Sequence, residues 1–318
     1  MTVGKKRILD FENPVYELEE KIEAGRQRGL EENSAEIIRL KERLAELETR
    51  VYGSLSPWEE VQLARHPDRP TTLQYIKDIF DEFLEFHGDR YYGDDPAVVG
   101  GLASLQGRRV MVVGHEKGRN TRDRLKRNFG MASPEGFRKS LRLMNLAGKF
   151  GLPVISFVDT PGAYPGVEAE ERGQSVAIAS NLKNLFNIST PIMIVIIGEG
   201  GSGGALALAI GDIVLMMEHA VYSVISPEGC AAILYKNKEK APEAASSLRL
   251  TSADCMELGV IDAVINERAG AAHRDPHGNA EELKKMIVKK LVELEGIPGD
   301  ALLRDRVEKF SRIGIFNS

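Results

Sequence analysis

The sequence predicts an α/β fold built on parallel strands whose connecting loops gather along one edge. Three observations carry this reading. Val154–Pro165 (VISFVDTPGAYP) and Pro191–Asp212 (PIMIVIIGEGGSGGALALAIGD) each run from an apolar strand through a glycine-rich turn toward a helical pattern. Both turns fall at the carboxyl ends of their strands, the edge at which α/β folds bind ligands. The chain around these two units continues to alternate strand and helix patterns.

The elements follow in order. Val15, Leu18 and Ile22 mark a first helix, Gly25 and Gly29 a break, and Ile37, Leu40, Leu44, Leu47 and Val51 an a/d seam on a second. This helical hairpin is too short to stand alone, so its seam needs something to pack on; a partner or sister subunit is favoured over the chain's own core. Pro57–Pro70 reads as a linker holding a short helix, and Thr72–Phe86 as an aromatic-rich amphipathic helix. Residues 1–71 are therefore assigned to a hairpin-and-linker extension and 72–318 to the main domain. Val98–Leu105 and Arg109–His115, joined at Gln106–Gly107, form a β-hairpin. A helix follows at Pro134–Phe150, then the Val154 strand with a helix from Glu168 to Asn187, then the Pro191 strand and its short helix. Strands at Ile213–Met217 and Val221–Val224 precede a helix opened by Ser226-Pro227-Glu228-Gly229, with proline and an acid in its first turn. A strand at Val260–Ile265 and helices at Ala280–Glu295 and Asp300–Phe310 close the chain.

Composition bounds the function. The 318 residues, 42% apolar and 28% charged, suit a soluble globular protein with a sizeable core. A net charge of −5 argues against a general nucleic-acid binder, though not against a local basic patch. Cys230 and Cys255 alone make neither a four-cysteine zinc site nor a secreted disulfide framework, so no metal is expected in this chain. Without a membrane-length apolar run or a secretory leader, the expected setting is a reducing cytoplasm.

The densest chemical signal is Gly198–Gly204, with five glycines in seven residues. Such a strand-to-helix turn aims backbone N–H groups at one point, where a phosphate or a reaction oxyanion can sit. A phosphate loop is excluded because no lysine follows the glycines until Lys236. The dinucleotide fingerprint is literally present as Gly198, Gly200 and Gly203, with Glu218 about twenty residues beyond Gly198. Against it stand a short helix, two surplus glycines and a position deep in the chain. Lys117–Arg127 (KGRNTRDRLKR) holds six basic residues and one acid: a solvated loop, or a counter-surface for phosphates, RNA or an acidic carrier protein. His273 and His277 are separated by Pro276, which spoils a helical metal pair, and no Ser/His/Asp arrangement is evident.

ARHPDRPTTLQYI (64–76), FHGDRYYGDDPAVVGGLA (86–103), GHEKGRNT (114–121), KRNFGMASPEGFRKSLRLM (126–144), FVDTPGAYPGVEAEERGQS (157–175), GEGGSGGALALAIGD (198–212) and YSVISPEGCAAILYK (222–236) resemble one family over essentially the full chain. It is the family of alpha subunits of the bacterial-type acetyl-coenzyme A carboxylase carboxyltransferase. Ala132 departs from an expected proline, and Arg268-Ala269-Gly270-Ala271 from a more glycine- and proline-rich approach to His273.

The resemblance implies a crotonase-like ββα superhelix behind the N-terminal helical hairpin. It implies transfer of a carboxyl group from carboxybiotin, held on a separate biotin carboxyl carrier protein, to acetyl-CoA, giving malonyl-CoA for fatty-acid biosynthesis. A beta subunit, in an α2β2 assembly, would supply the other half of the site and a zinc ribbon; ATP would be used only by the separate biotin carboxylase. Two oxyanions then arise, on the biotin ureido oxygen and on the thioester oxygen, and the biotin enolate can itself take the methyl proton. No side-chain base is needed. The expected oxyanion hole is the amides of Gly203, Gly204 and Ala205, with Gly162, Ala163, Gly200, Gly201 and Ser202 lining the biotin site. Lys117, Arg119, Arg122, Lys126 and Arg127 are the candidate phosphate or carrier contacts. The runner-up from another class is a non-catalytic scaffold that binds RNA or an acidic partner through this run.

Overall fold

The computed structural model describes residues 7–314. Helices α1 (Asn13–Gln27) and α2 (Ala35–Tyr52) form the expected hairpin, the second capped by Ser34. The a/d seam finds its mate inside this chain, against expectation. Ile37 is fully buried, while Leu44, Leu47 and Val51 pack with Val15, Leu63 and Ala271. Sequence periodicity shows that a face must be covered, not that a loop more than two hundred residues later returns to cover it. That loop is the departure at 268–271: Gly270 (φ 84°) lies so close under the Tyr52 ring that a β-carbon there would sit 2.0 Å from it.

Helix α3 (Pro57–Ala64) is opened by a Ser56/Glu59 capping box. Helix α4 (Thr72–Ile79) ends seven residues short of the expected Phe86, because strand β1 (Glu82–Glu85) peels away to pair with β2 (Val98–Leu105). Gly101 permits that pairing, since a β-carbon there would stand 2.0 Å from the Leu84 carbonyl oxygen. Strand β3 (Arg108–His115) completes the β-hairpin with β2 in antiparallel register. The basic run, expected as a loop, carries a short helix α5 (Thr121–Lys126) capped by Asn120.

From there the alternation holds: α6 (Pro134–Phe150), β4 (Val154–Thr160), α7 (Val167–Glu171), α8 (Gln174–Leu185), β5 (Ile192–Gly201), α9 (Ser202–Leu206), β6 (Ile213–Met217) and β7 (Val221–Ser223). The single helix expected at 168–187 is two, broken where Gly173 adopts φ 82°. Beyond α10 (Pro227–Leu234) lie two helices the periodicity did not announce, α11 (Ala241–Leu248) and α12 (Ser252–Glu257). Strand β8 (Ala263–Ile265) and helices α13 (Pro276–Leu294) and α14 (Gly299–Ser311) finish the fold, with Pro276 opening α13 rather than breaking it.

The sheet order is β1-β2-β3-β4-β5-β6-β8, with β7 pairing on the far end of β5. Pairs from β3 onward are parallel, so the carboxyl ends of β4 and β5 emerge side by side. Strands β4 and β5 are buried almost end to end, which explains their unbroken apolar runs.

Candidate active site

The glycine segment is a strand extension before it is a turn. Gly198–Gly201 continue β5 and pair with β7 at Glu199↔Val221, Gly200↔Tyr222 and Gly201↔Ser223. This disposes of the dinucleotide reading, whose first two glycines must turn rather than run in a strand. Glu218, its would-be ribose ligand, instead accepts the Glu267 N–H at 2.8 Å.

The chain reverses at Ser202 (φ 52°), which opens α9 with Gly201 as its N-cap. The N–H groups of a helix's first turn have no earlier helical carbonyl to bond. Ser202, Gly203 and Gly204 occupy that first turn and make its donor edge, and Ala205, fully buried, packs the turn onto the core.

The turn after β4 presses on this edge. A β-carbon on Gly201 would lie 2.2 Å from the Pro161 carbonyl oxygen; one on Gly204 would lie 2.5 Å from both the Ala163 nitrogen and the Gly162 carbonyl carbon. One on Gly200 would enter the Tyr222 ring at 2.5 Å, and one on Gly203 meets nothing nearer than Ile178 at 3.8 Å. Glycine at 200, 201 and 204 therefore exists for close approach between backbones and rings, and Gly203 borders open space. Thr160 closes the opposing turn: its hydroxyl donates to the Gly162 carbonyl (2.7 Å) and accepts the Gly162 N–H (3.1 Å). The Ala132 carbonyl holds the exit of that turn by accepting the Tyr164 N–H (3.0 Å) and a Gln174 amide N–H (2.9 Å). Gly162 and Ala163 thus face the Gly201–Gly204 segment, as a two-loop site requires.

Sequence reasoning offered Glu199 only as a residue lining the loop and Lys117 as a ligand or carrier contact; it missed that the two pair behind the turn, and missed Arg65 and Asp159 altogether. Glu199, largely buried, accepts from Lys117 Nζ at 2.7 Å and from Arg65 Nε at 2.6 Å. Lys117 also pairs with Asp159 at 2.7 Å, and Asp159 accepts the Glu199 N–H at 2.9 Å. Arg65, just past α3, continues to Glu228 in the first turn of α10 at 2.5 Å. Burial pushes the Glu199 carboxyl up, but the Lys117 and Arg65 charges outweigh it and hold the group below its ordinary range. Burial likewise opposes the Lys117 ammonium, and Asp159 with Glu199 more than restores it. A cleft of about 160 Å³ opens beside these groups, bordered by Arg65, Lys117, Asp159 and Pro161. The buried Arg69, paired with Glu267, donates to the Ile197 carbonyl at 2.7 Å and so props β5 just below the glycines.

The basic run divides. Lys117 is taken up inside; Arg127 binds Asp123 (2.8 Å) and the Pro96 carbonyl (2.6 Å); and Arg124 binds the Pro67 carbonyl (2.6 Å). Arg119, Arg122 and Lys126 stay at the surface, so any counter-surface narrows from the five expected residues to these three.

His273 and His277 do not converge. His273 stacks on His66 (ring centroids 3.9 Å) and lies 2.9 Å from the Glu12 carboxylate. Glu12, His66 and His273 bring potential ligand atoms within 4.8 Å of one another. Both His66 nitrogens are nevertheless engaged, by the Arg7 carbonyl (2.9 Å) and the Asp68 N–H (3.2 Å). The cluster clasps the N-terminal segment to the loops at 66–68 and 273.

Comparison with known proteins places this geometry. A family described as acetyl co-enzyme A carboxylase carboxyltransferase-like matches residues 8–314. The acetyl-coenzyme A carboxylase carboxyl transferase subunit alpha of Thermus thermophilus is 51% identical over 312 residues, 97% of this chain and 98% of its own. Among solved structures, transcarboxylase 12S with methylmalonyl-coenzyme A and methylmalonic acid bound superposes with a TM-score of 0.53 at 22% identity, over 67% of this chain and 41% of that one. The geranyl-CoA carboxylase beta subunit of Pseudomonas aeruginosa gives a TM-score of 0.54 at 16% identity, over 83% of this chain and 47% of that one. At those identities the likeness is one of fold.

Proposed function

This chain belongs to the acetyl co-enzyme A carboxylase carboxyltransferase family, on its alpha-subunit side, and from that premise we propose that the Gly203 and Gly204 amides hold the oxyanion that carboxyl transfer creates. The fold is crotonase-like, and the reaction is the biotin-dependent transfer of a carboxyl group to acetyl-CoA, giving malonyl-CoA. The observation that carries the site reading is the strand-to-helix turn Gly201–Gly204, locked against Pro161–Ala163 with its donor edge beside open space at Gly203.

Carboxybiotin, when bound, supplies the carboxyl group and a carbonyl-type oxygen on which negative charge develops. Its flat ring suits the open space beside Gly162 and Gly203, where a β-carbon would meet nothing nearer than 3.8 Å, while Gly200 and Gly201 shape that space from behind by packing on Tyr222 and Pro161. Ser202 and Ala163 border the same space. This chain's own task is to present preorganised N–H donors that need not reorient as charge grows, a device worth about 2.7–4 kcal/mol of barrier per donor. Burial of Gly204 and Ala205 keeps water from competing for those donors. Ala205 serves by packing into the core the turn that aims the other two. Arg119, Arg122 and Lys126, at the surface, are assigned to an acidic carrier protein bearing the biotin.

One turn offers one donor set, and the thioester oxygen of acetyl-CoA needs another. A beta-type partner, forming an α2β2 assembly, is assigned that second set and the zinc site; ATP belongs to the separate carboxylase that charges biotin, and the cytoplasm to the whole reaction. Among the described residues no helix is long and apolar enough to cross a membrane. The test is reconstitution. Malonyl-CoA is expected only when this chain is mixed with a beta subunit and a carboxybiotin donor. Substantial turnover by this chain alone would refute the shared site.

A further inference from the structure

We infer that Glu199, gripped between Lys117 and Arg65, is a positioning residue for carboxyl transfer: it fixes the strand extension that carries the Gly201–Gly204 turn and so sets where its amides point. The inference rests on the reading that those amides hold the oxyanion.

Between Gly198 and Gly204 only Glu199 and Ser202 have side chains, and that of Ser202 is exposed. Five glycines give the backbone close approach on every side but nothing with which to anchor itself, and glycine is the most conformationally free residue. Glu199 is therefore the one buried side-chain anchor in the segment. It stands two residues before the N-cap of α9, at the first rung of the β5–β7 pairing.

Its two carboxylate oxygens face different elements. Oε2 takes Lys117, which follows β3 and reaches Asp159 at the end of β4; Oε1 takes Arg65, which follows α3 and reaches Glu228 at the start of α10. The backbone N–H of Glu199 donates to the same Asp159 oxygen that Lys117 grips. The turn is thus referenced to the neighbouring strand β4, to the segment that follows β3 one strand further along, and to two helices, through one side chain. Stability alone does not call for such a device, since buried ion pairs often contribute no more than well-packed apolar residues of equal volume. What charges at fixed geometry add is direction, which an apolar plug would not supply. Lys117 is also the reason the basic run begins where it does: its charge serves this anchor rather than a ligand.

The test is Glu199→Gln in the assembled carboxyltransferase. The substitution leaves Lys117 with Asp159 and Arg65 with Glu228, so no buried cation is stranded and the subunit is expected to fold and assemble. With the donors misaimed, kcat for malonyl-CoA formation should fall about hundredfold. The KM for acetyl-CoA, bound mainly by the partner, should move by less than about twofold, and the fall in kcat should persist after normalisation to the folded, assembled fraction read by melting temperature and partner co-purification, which a general loss of structure would not survive. Gly204→Ala is measured in parallel. If Gly204→Ala is inactive while Glu199→Gln keeps wild-type kcat, the anchor role is overturned and the site reading stands. If Gly204→Ala is fully active, the site reading falls and this inference with it. Should Glu199→Gln not assemble, Lys117→Arg, which keeps the charge but alters its reach, decides the matter in its place: lowered kcat at unchanged KM supports the role, and wild-type kcat overturns it.

Discussion

Replacing Gly204 by alanine is the smallest change that separates a working oxyanion turn from a merely tight one. The new methyl carbon would stand 2.5 Å from the Ala163 nitrogen and 2.5 Å from the Gly162 carbonyl carbon, both of them main-chain atoms that cannot swing aside. Comfortable contacts of this kind need about 3.5 Å, so the two loops must part by roughly 1 Å. Overpacking of that sort costs about 1–3 kcal/mol of stability, which a domain of this size can survive. Its effect on catalysis is larger. A displacement of about 1 Å at a reacting geometry costs on the order of 10²-fold, and full loss of one donor about 10²–10³-fold. The expected outcome is therefore a folded, partner-binding subunit whose kcat for malonyl-CoA formation is down about 10²–10³-fold. Steady-state turnover of the reconstituted complex, with melting temperature and co-purification of the partner as controls, reads this out. Turnover within about threefold of wild type in an intact complex would refute the placement of the oxyanion at this turn.

Two further outcomes test the fold beneath the site. Arg306, fully buried on α14, binds Asp212 at 2.7 and 2.9 Å and the carbonyls of Leu185, Ile188 and Thr190 at 2.6–3.1 Å. Arg306→Met, which strands the Asp212 carboxylate, should cost about 3–5 kcal/mol in urea unfolding, and a loss below about 1 kcal/mol would contradict that accounting. Burial drives the His115 imidazole from its ordinary 6.5 down to about 3, so the folded state keeps it neutral while the unfolded chain takes up a proton. Its stabilising contribution is complete above pH 6.5 and is lost as the pH falls toward about 3. The backbone groups of Gly204 and Phe157 beside the ring only partly offset the burial, and neither nitrogen makes a hydrogen bond of good geometry, so His115→Leu should stay within about 1 kcal/mol of wild type at neutral pH. Between about pH 6.5 and 4 the variant should lose up to about 3 kcal/mol less than wild type, and identical acid slopes in the two proteins would refute the buried neutral imidazole.

The sheet was legible because its signal is local. VISFV in β4 and IMIVII in β5 are buried on both faces, so every residue reports the same environment, and a glycine marks where each strand gives way. The errors came where the deciding residue sits elsewhere. TLQYIKDIFDEFLEF keeps a helical period through Phe86, yet the segment turns to strand at Glu82 because Gly101, in another strand, leaves room for the Leu84 carbonyl. The a/d seam of α2 announced a cover but not which one, since Ala271 returns from more than two hundred residues further along the chain. The break at Gly173 was visible as a glycine, but period alone cannot tell a tolerated helical glycine from one at φ 82°.

At the site the same division holds, and it locates the limit of sequence reading. The glycines declared the turn because their need is for empty space, which one residue can express by itself. The anchor behind it is relational: Arg65 and Glu199 lie 134 residues apart, and Arg65 and Glu228 lie 163 apart. A signal was nonetheless present. Glu199 is a lone carboxylate between glycines at the end of an apolar strand, and Asp159 is another at the end of the neighbouring one. A carboxylate placed there must be buried, and a buried carboxylate demands a cation. Two such demands on adjacent strand ends call for cations delivered to one spot. The run at Lys117–Arg127 then reads differently: its first member, following closely on a strand that pairs with β4, is the one the topology can deliver inward, and Arg119, Arg122 and Lys126 stay at the surface. Charge patterning alone could not split that run, because the split depends on which residue the parallel register carries to the carboxyl edge.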